Sequence, residues 1–331
     1  MTLASTAHAM LVPALRICAV LTVLLLPATG SAIVTADAPA VTTVESKYAE
    51  RGPWAVTAVP GFGCCDSSGA SYDLWRPADL GAGGVRHPII TWGNGTDAAP
   101  EQYTHLLEHW ASWGFVVIAA RNRQTGSGKD IAGAVEYLLR QAEDPASPLY
   151  GRVDPDLVGA VGHSQGATGV INAMALSGGR IKTVVPLELP IQLWCSTGSW
   201  CPDITGPGNG SIFLVNGSAD AVISPSRQLL PPPVIGLQSI QAYYEAIPAT
   251  IPKAWGTLAE VNHNDVQGQP QCAPAITLCA LGVHGYLGYP TAWLAARLLG
   301  DTAAQRVFVS GTGEFFAPNP NWVNQIGNIT G

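Results

Sequence analysis

Short apolar runs alternate along this chain with longer segments whose apolar residues recur every three or four positions. β-like runs fall at Trp54–Val59 and Tyr72–Trp75, and His87–Trp92 (HPIITW) runs into Gly-Asn-Gly. In residues 101–113, Tyr103, Leu106, Leu107 and Trp110 fall at i, i+3, i+4 and i+7, the apolar stripe of one helix face. Gly114 ends that helix, and Phe115–Ala120 reads as a buried strand. Lys129–Glu143 predicts a second helix, with Ile131, Val135, Leu138 and Leu139 on one side. The alternation continues with a strand at Leu157–Val161, a small-residue helix at 165–177, and strands at Ile181–Leu187 and Ile212–Val215. A further strand is expected at Ala254–Val261 and a late helix at Ala292–Leu299, while residues 33–50 read as an extended arm. Apolar strands interleaved with amphipathic helices predict an α/β fold, a mostly parallel sheet covered on both faces in one domain. Most polar candidates sit just after a strand, where such sheets place their ligand crevice.

The first 32 residues do not fit this alternation. Arg16 is their only charged side chain; an apolar run, Ile17–Leu26, follows it, then a small-residue stretch ending at Ala32. This is the layout of a secretory signal peptide cut after Ala32, and the apolar run is short for a membrane span. The expected mature protein, residues 33–331 with its core at about 50–300, is a secreted, extracellular domain without stable membrane insertion. The whole chain carries a net charge of −7, and only 12% of its residues are charged, about half the usual share. With no Lys/Arg cluster, nucleic acid is a poor candidate partner. Six cysteines remain after Ala32. An even number in an exported chain favours disulfides, with Cys195–Cys201 and Cys272–Cys279 the preferred pairs and Cys64 and Cys65 joined to each other or elsewhere. Zinc is the poorer explanation, because no paired CxxC or neighbouring histidines accompany them.

The chemistry centres on Gly162-His163-Ser164-Gln165-Gly166, between a strand and a helix. The two glycines permit a sharp turn that pushes the serine hydroxyl out at the head of the following helix, the nucleophile-elbow arrangement. A serine needs a base, and the base an orienting acid, in the chain order Ser, acid, His on this architecture. Asp220 follows the strand Ile212–Val215 at the right interval; Asp203 and Asp265 are less well placed. His263, just past the Ala254–Val261 run, is preferred as base over His284, which lacks a preceding strand. His163 is expected to pack under the turn. The amide of Gln165 supplies one oxyanion donor. The loop Thr91-Trp92-Gly93-Asn94-Gly95-Thr96 supplies the other, with Asn94 preferred and Gly95 the alternative. Trp194 and Trp200 bracket Cys195 and Cys201 and are candidates to rim a substrate cleft. Thr125–Asp130 hints at a phosphate loop but has Arg123 and Asp130 where that pattern needs Gly and Ser/Thr. Sequons occur at Asn94, Asn209, Asn216 and Asn328, and glycans on Asn94 or Asn216 would crowd the site. Pro231-Pro232-Pro233 suggests a stiff excursion after Asp220.

With these motifs in this order, the chain resembles the exported α/β-hydrolase esterases, specifically the bacterial cutinase and polyester hydrolase branch near the dienelactone hydrolase-like group. The likeness rests on Trp-Gly-Asn-Gly-Thr, Gly-Phe-Val-Val-Ile-Ala, Gly-His-Ser-Gln-Gly, Gly-Ser-Ala-Asp and the His263 segment. It implies an acyl-enzyme mechanism on small or polymeric carboxylic esters, with neither metal nor organic cofactor. The chain departs from that branch at Gln165, where Met is usual, at Asn94, where an aromatic is usual, and at Ile191, where a Trp follows the strand. The expected activity is that of a serine esterase, lipase or cutinase-like enzyme. A serine peptidase using the same triad, or a non-catalytic cell-surface or carbohydrate-binding protein on a hydrolase scaffold, are the alternatives.

Overall fold

The computed structural model describes residues 43–195, 200–205, 208–228, 236–268, 272 and 278–331. The expected export segment 1–32, most of the expected arm and Pro231–Pro233 lie outside the described residues. Among the described residues nine strands form one sheet: β1 Val56–Cys64, β2 Ser71–Pro77, β3 His87–Gly93, β4 Val116–Ala120, β5 Val153–His163, β6 Ile181–Leu187, β7 Ser211–Gly217, β8 Lys253–Leu258 and β9 Trp322–Gly327. Their spatial order is β1-β2-β4-β3-β5-β6-β7-β8-β9. The six strands β3 to β8 run parallel, with antiparallel β1 and β2 on one edge and antiparallel β9 on the other.

The central strands are buried on both faces, which is why they read as continuous apolar runs rather than alternating ones. Adjacent residues point to opposite layers. Ile90, Trp92, Val117 and Ala119 join one core, and Ile89, Val116, Ile118 and Ala120 the other. Among the described residues the α-helices are α1 Val44–Ala49, α2 Thr104–Ser112, α3 Lys129–Glu143, α4 Gln165–Leu176, α5 Gln192–Cys195, α6 Ile240–Ala246, α7 Gly288–Leu294 and α8 Thr302–Val307. Apolar residues of α2 and α7 complete the first core, and those of α3 and α4 the second. The doubly covered parallel sheet with its antiparallel edges is an α/β-hydrolase fold.

Three local expectations are corrected. Residues 44–49 are helical rather than extended, because Thr43 caps the helix by accepting from the Ser46 amide at 3.0 Å and Tyr48 is buried against Trp113. The strand expected to reach Val261 stops at Leu258, where the chain turns through Glu260 at a φ of 61°. The late helix begins at Gly288 rather than Ala292, since Pro290 is tolerated in a first turn. Strand β9, half-exposed at the sheet edge, and the short helices α6 and α8 escaped notice, because none carries a long periodic apolar pattern. The cysteines pair as Cys195–Cys201 and Cys272–Cys279, and Cys64 with Cys65.

Candidate active site

The polar candidates gather at the carboxyl ends of the parallel strands. Ser164 sits between β5 and α4 with φ 55° and ψ −122°, outside the regions a β-substituted residue ordinarily occupies. Glycine makes this turn possible. A Cβ on Gly162 would lie 2.3 Å from Gly166 O, and one on Gly166 would lie 2.1 Å from Gly93 O. The Ser164 amide donates to Leu187 O at 3.0 Å, which ties the elbow to the end of β6.

Asp220 follows β7 and His263 follows β8, and both are buried. His263 Nε2 lies 2.9 Å from Ser164 Oγ, and its Nδ1 lies 2.6 Å from Asp220 Oδ2. Asp220 Oδ1 accepts from the Ile223 amide at 2.9 Å. Burial opposes the ionisation of Asp220, but the hydrogen bond and charge of His263, together with the Ile223 amide, outweigh it and hold the carboxyl below its usual range. The loop that carries Asp220 is anchored by Asn216, fully buried at the end of β7. Its Nδ2 donates to Ser224 O at 2.8 Å, and its Oδ1 accepts from Trp255 Nε1 and Thr257 Oγ1. Such a side chain has no room for a glycan, and the same holds for buried Asn94.

His163 faces away from the serine. Its Nε2 donates to His263 O at 2.9 Å, so its Nδ1 is the acceptor for Tyr103 Oη at 3.0 Å. Burial, helped by nearby His263, pushes its pKa well below the ordinary histidine value and leaves it a neutral strut beneath the His263 loop. His284 is exposed and outside this cluster. Asp265, set aside as the acid, instead braces the chain after His263. Its Oδ1 accepts from the amides of Ala280, Leu281 and Gly282 at 2.7, 2.7 and 2.6 Å.

The oxyanion expectation needs correcting at Asn94. The whole residue, amide included, is buried and borders neither recess beside Ser164, and its side chain donates to Ala120 O at 2.7 Å and Asn122 O at 3.0 Å and accepts from Trp92 Nε1. It holds the loop together and does not line the cleft. The Gly95 amide already donates to Tyr103 Oη at 3.1 Å. Thr96 borders both recesses beside Ser164, and its amide has no acceptor among the described residues. The amide of Gln165, first in α4, is also without an internal acceptor, as expected at a helix start. The loop is legible in the sequence, but which of its amides stays free depends on Tyr103, a long-range partner.

Two recesses flank Ser164. The first, about 200 Å³, is mainly apolar, with Thr168, Pro190, Trp194, Trp200 and Ile223 on its walls. The second, about 400 Å³, is more polar and includes Gly95, Asp97, Gln102, His263, Asn264 and Gln267. Trp194 and Trp200 therefore do face the serine's surroundings, each about half exposed. Ile191 is buried and donates its amide to Ile223 O at 2.9 Å, while Trp194 in α5 presents the ring. Among the described residues, two clusters place His, Cys or carboxylate donors within reach of one ion: Asp265, Cys272 and Cys279, and Glu188, Asp220 and His263. In the first both sulfurs are joined in a disulfide, and in the second both His263 ring nitrogens already have partners. Neither suits a resident metal. Among the described residues no helix is long and apolar enough to cross a membrane.

Residues 31–232 match the PET hydrolase-like family model. The chain is 27% identical over 202 residues to Cutinase est1 of Thermobifida alba, covering 60% of this chain and 56% of that protein. Cutinase est2 of the same organism is also 27% identical over 202 residues, covering 60% and 55%. A bis(hydroxyethyl) terephthalate hydrolase of Streptomyces coelicolor is 26% identical over 233 residues, covering 67% and 64%. The chain thus spans little more than half the length of the two cutinases. The matched segment contains Ser164 and Asp220 and stops before His263. With the matched segment covering more than half of its length, the chain belongs to the PET hydrolase-like family.

Proposed function

We propose that this protein is a secreted carboxylic ester hydrolase that works through an acyl-enzyme. The observation that carries this reading is the unbroken hydrogen-bonded path from Ser164 Oγ through His263 to Asp220. Ser164 attacks the ester carbonyl while His263 Nε2 takes its proton and passes it to the departing alcohol. Asp220 orients the ring and stabilises the imidazolium. The amides of Thr96 and Gln165 receive the negative charge of the tetrahedral intermediate, worth about 2–4 kcal/mol per donor. Water, activated by the same histidine, then releases the acid. The similarity to cutinases and to a bis(hydroxyethyl) terephthalate hydrolase supports esters as the substrate class. An aromatic acyl group fits the Trp194–Trp200 side, and a polar alcohol fits the recess with Gln102 and Gln267.

The test is hydrolysis of a chain-length series of p-nitrophenyl esters and of bis(hydroxyethyl) terephthalate by purified protein, beside Ser164→Ala and His284→Ala. Activity lost in the serine variant and kept in the His284 variant is the expected result. A wild type inert on every ester, or an active Ser164→Ala, would overturn the reading. Export is tested by N-terminal sequencing of protein recovered from the medium, with residue 33 expected first.

A further inference from the structure

One buried acid beside the triad has no part in the mechanism above. Glu188 is the first residue after β6, and its φ of 52° lies in the left-handed region that glycine favours. Its amide donates to Val215 O at 2.8 Å, fixing it between the ends of β6 and β7. The side chain is wholly excluded from solvent. Tyr286 Oη donates to Oε1, whereas Oε2 has no partner in good hydrogen-bond geometry. Donor atoms of Glu188, Asp220 and His263 lie within 4.8 Å of one another.

Two ionised carboxylates at that separation, without a cation, repel strongly in a buried setting. Among the described residues neither forms an ion pair with a lysine or arginine. One of them must therefore keep its proton. Asp220 is already committed as an acceptor, from His263 at one oxygen and Ile223 at the other. Glu188 has a spare oxygen beside it. The other titratable group facing Glu188 is Tyr286, itself a donor, with His163 and Asp265 standing behind His263 and Tyr286.

We propose that Glu188 is a positioning residue, a neutral acid whose Oε2 proton is directed at the Asp220 carboxylate and whose other oxygen is held by Tyr286. This rests on the triad reading above and extends it to Ser164–His263–Asp220–Glu188. A neutral donor steadies Asp220 without adding negative charge behind the histidine. Burial, reinforced by the Asp220 charge, pushes the Glu188 carboxyl well above its usual range, in keeping with that state.

The experiment compares wild type, Ser164→Ala, Glu188→Gln and Glu188→Leu in kcat and KM across pH. The amide of Glu188→Gln can still donate to Asp220 and accept from Tyr286, so its kcat and pH profile should overlay the wild type. Glu188→Leu keeps the bulk and loses the donor. Its kcat should fall about tenfold with KM little changed, as for a lost hydrogen bond to a charged group. The acidic limb of its kcat/KM profile should move to higher pH, because an Asp220 without that donor attracts the imidazolium more strongly. Isotope-edited infrared spectroscopy should show a buried neutral carboxylic acid in wild type that is missing from Glu188→Gln, whether or not Glu188→Leu folds. Three results would overturn the proposal: no such band, Glu188→Gln as impaired as Glu188→Leu, or a Glu188→Leu profile matching wild type. A fully active Ser164→Ala would instead condemn the triad reading, and the infrared band would still report the state of Glu188.

Discussion

Gly166 is where the two proposed oxyanion donors are mechanically coupled, so Gly166→Ala should damage the chemistry more than the fold. The added Cβ would lie 2.1 Å from Gly93 O, 2.3 Å from Gly93 C and 2.6 Å from Asn94 O, all backbone atoms that no rotamer change can move aside. Ordinary contact begins at 3.4 Å, so helix α4 and the loop after β3 must separate by about 1 Å. Gln165 precedes Gly166, and Thr96 follows Asn94 by two residues. Opening this contact therefore spreads the two amides that must converge on one oxygen. A misplacement of about 1 Å costs roughly a hundredfold in rate. The accompanying overpacking costs about 1–3 kcal/mol of stability. Steady-state kinetics on a soluble p-nitrophenyl ester, beside a thermal melt, separates the two effects. The expected outcome is a folded enzyme with a lower Tm, a kcat down about a hundredfold and a KM changed far less. A folded Gly166→Ala enzyme with kcat within about threefold of wild type would refute the assignment of the Gln165 and Thr96 amides.

Gly133, inside α3, is the opposite case. A Cβ there meets only Tyr72 Oη at 3.7 Å, so Gly133→Ala should raise stability by about 0.5–1 kcal/mol in urea melts and leave kcat alone. Replacing Trp194 and Trp200 together by Ala should raise KM for aromatic acyl esters about tenfold and for acetate esters much less, as read from paired substrate titrations. Stability should also depend on pH, falling as pH drops below the ordinary histidine pKa of 6.5. Burial lowers the folded pKa of His87, His109 and His163, that of His109 to about 4, so below 6.5 the unfolded chain binds more protons and stability is lost as pH falls. Glu188 and Glu45 are raised, and each favours the folded state less as pH climbs above its ordinary 4.5. They oppose the histidines as pH rises above 4.5, and Glu188, raised well above that value, does so more than Glu45. Urea denaturation over a pH series should therefore show stability lost on the acid side, with Glu188→Gln removing an opposing loss that wild type shows as pH rises above 4.5; a pH dependence unchanged in that variant would contradict a protonated Glu188.

The three triad candidates were legible because each is announced locally, by a residue type a fixed step past an apolar strand. Ser164 follows β5, Asp220 follows β7 and His263 follows β8. The oxyanion loop was legible as a loop but not at the level of its amides. Its free N–H is decided by Tyr103, which takes the Gly95 amide, and by Ala120 and Asn122, which take the Asn94 side chain. Glu188 was overlooked although its signal is visible in retrospect, a lone carboxylate in the apolar run Val-Val-Pro-Leu-Glu-Leu-Pro directly after a strand. Periodicity treats such a residue as the edge of a strand; only tertiary packing shows that it points at another acid.

The departure at Ile191 shows how a lost local feature can be rebuilt from a different segment. In the resembling enzymes a tryptophan follows this strand, and its replacement by isoleucine suggests a poorer aromatic surface. Here Ile191 turns inward and its amide bonds Ile223 O, which leaves the cleft wall to α5 one turn later. There Trp194 is fixed through Nε1 to Val222 O at 2.9 Å. The neighbouring Cys195–Cys201 bond brings Trp200 to the same recess, and Asn172 Nδ2 ties the Cys201 carbonyl to α4 at 3.2 Å. Trp200 also packs where any side chain on Gly126 would go, 2.8 Å from its Cδ1. The aromatic wall is thus carried by two rings on a cross-linked segment, each tied to a different part of the site. Trp194 is tied to the loop that bears Asp220, and Trp200 to the helix that follows Ser164. On the proposed reading, a substrate between the two rings is referenced to both Ser164 and Asp220.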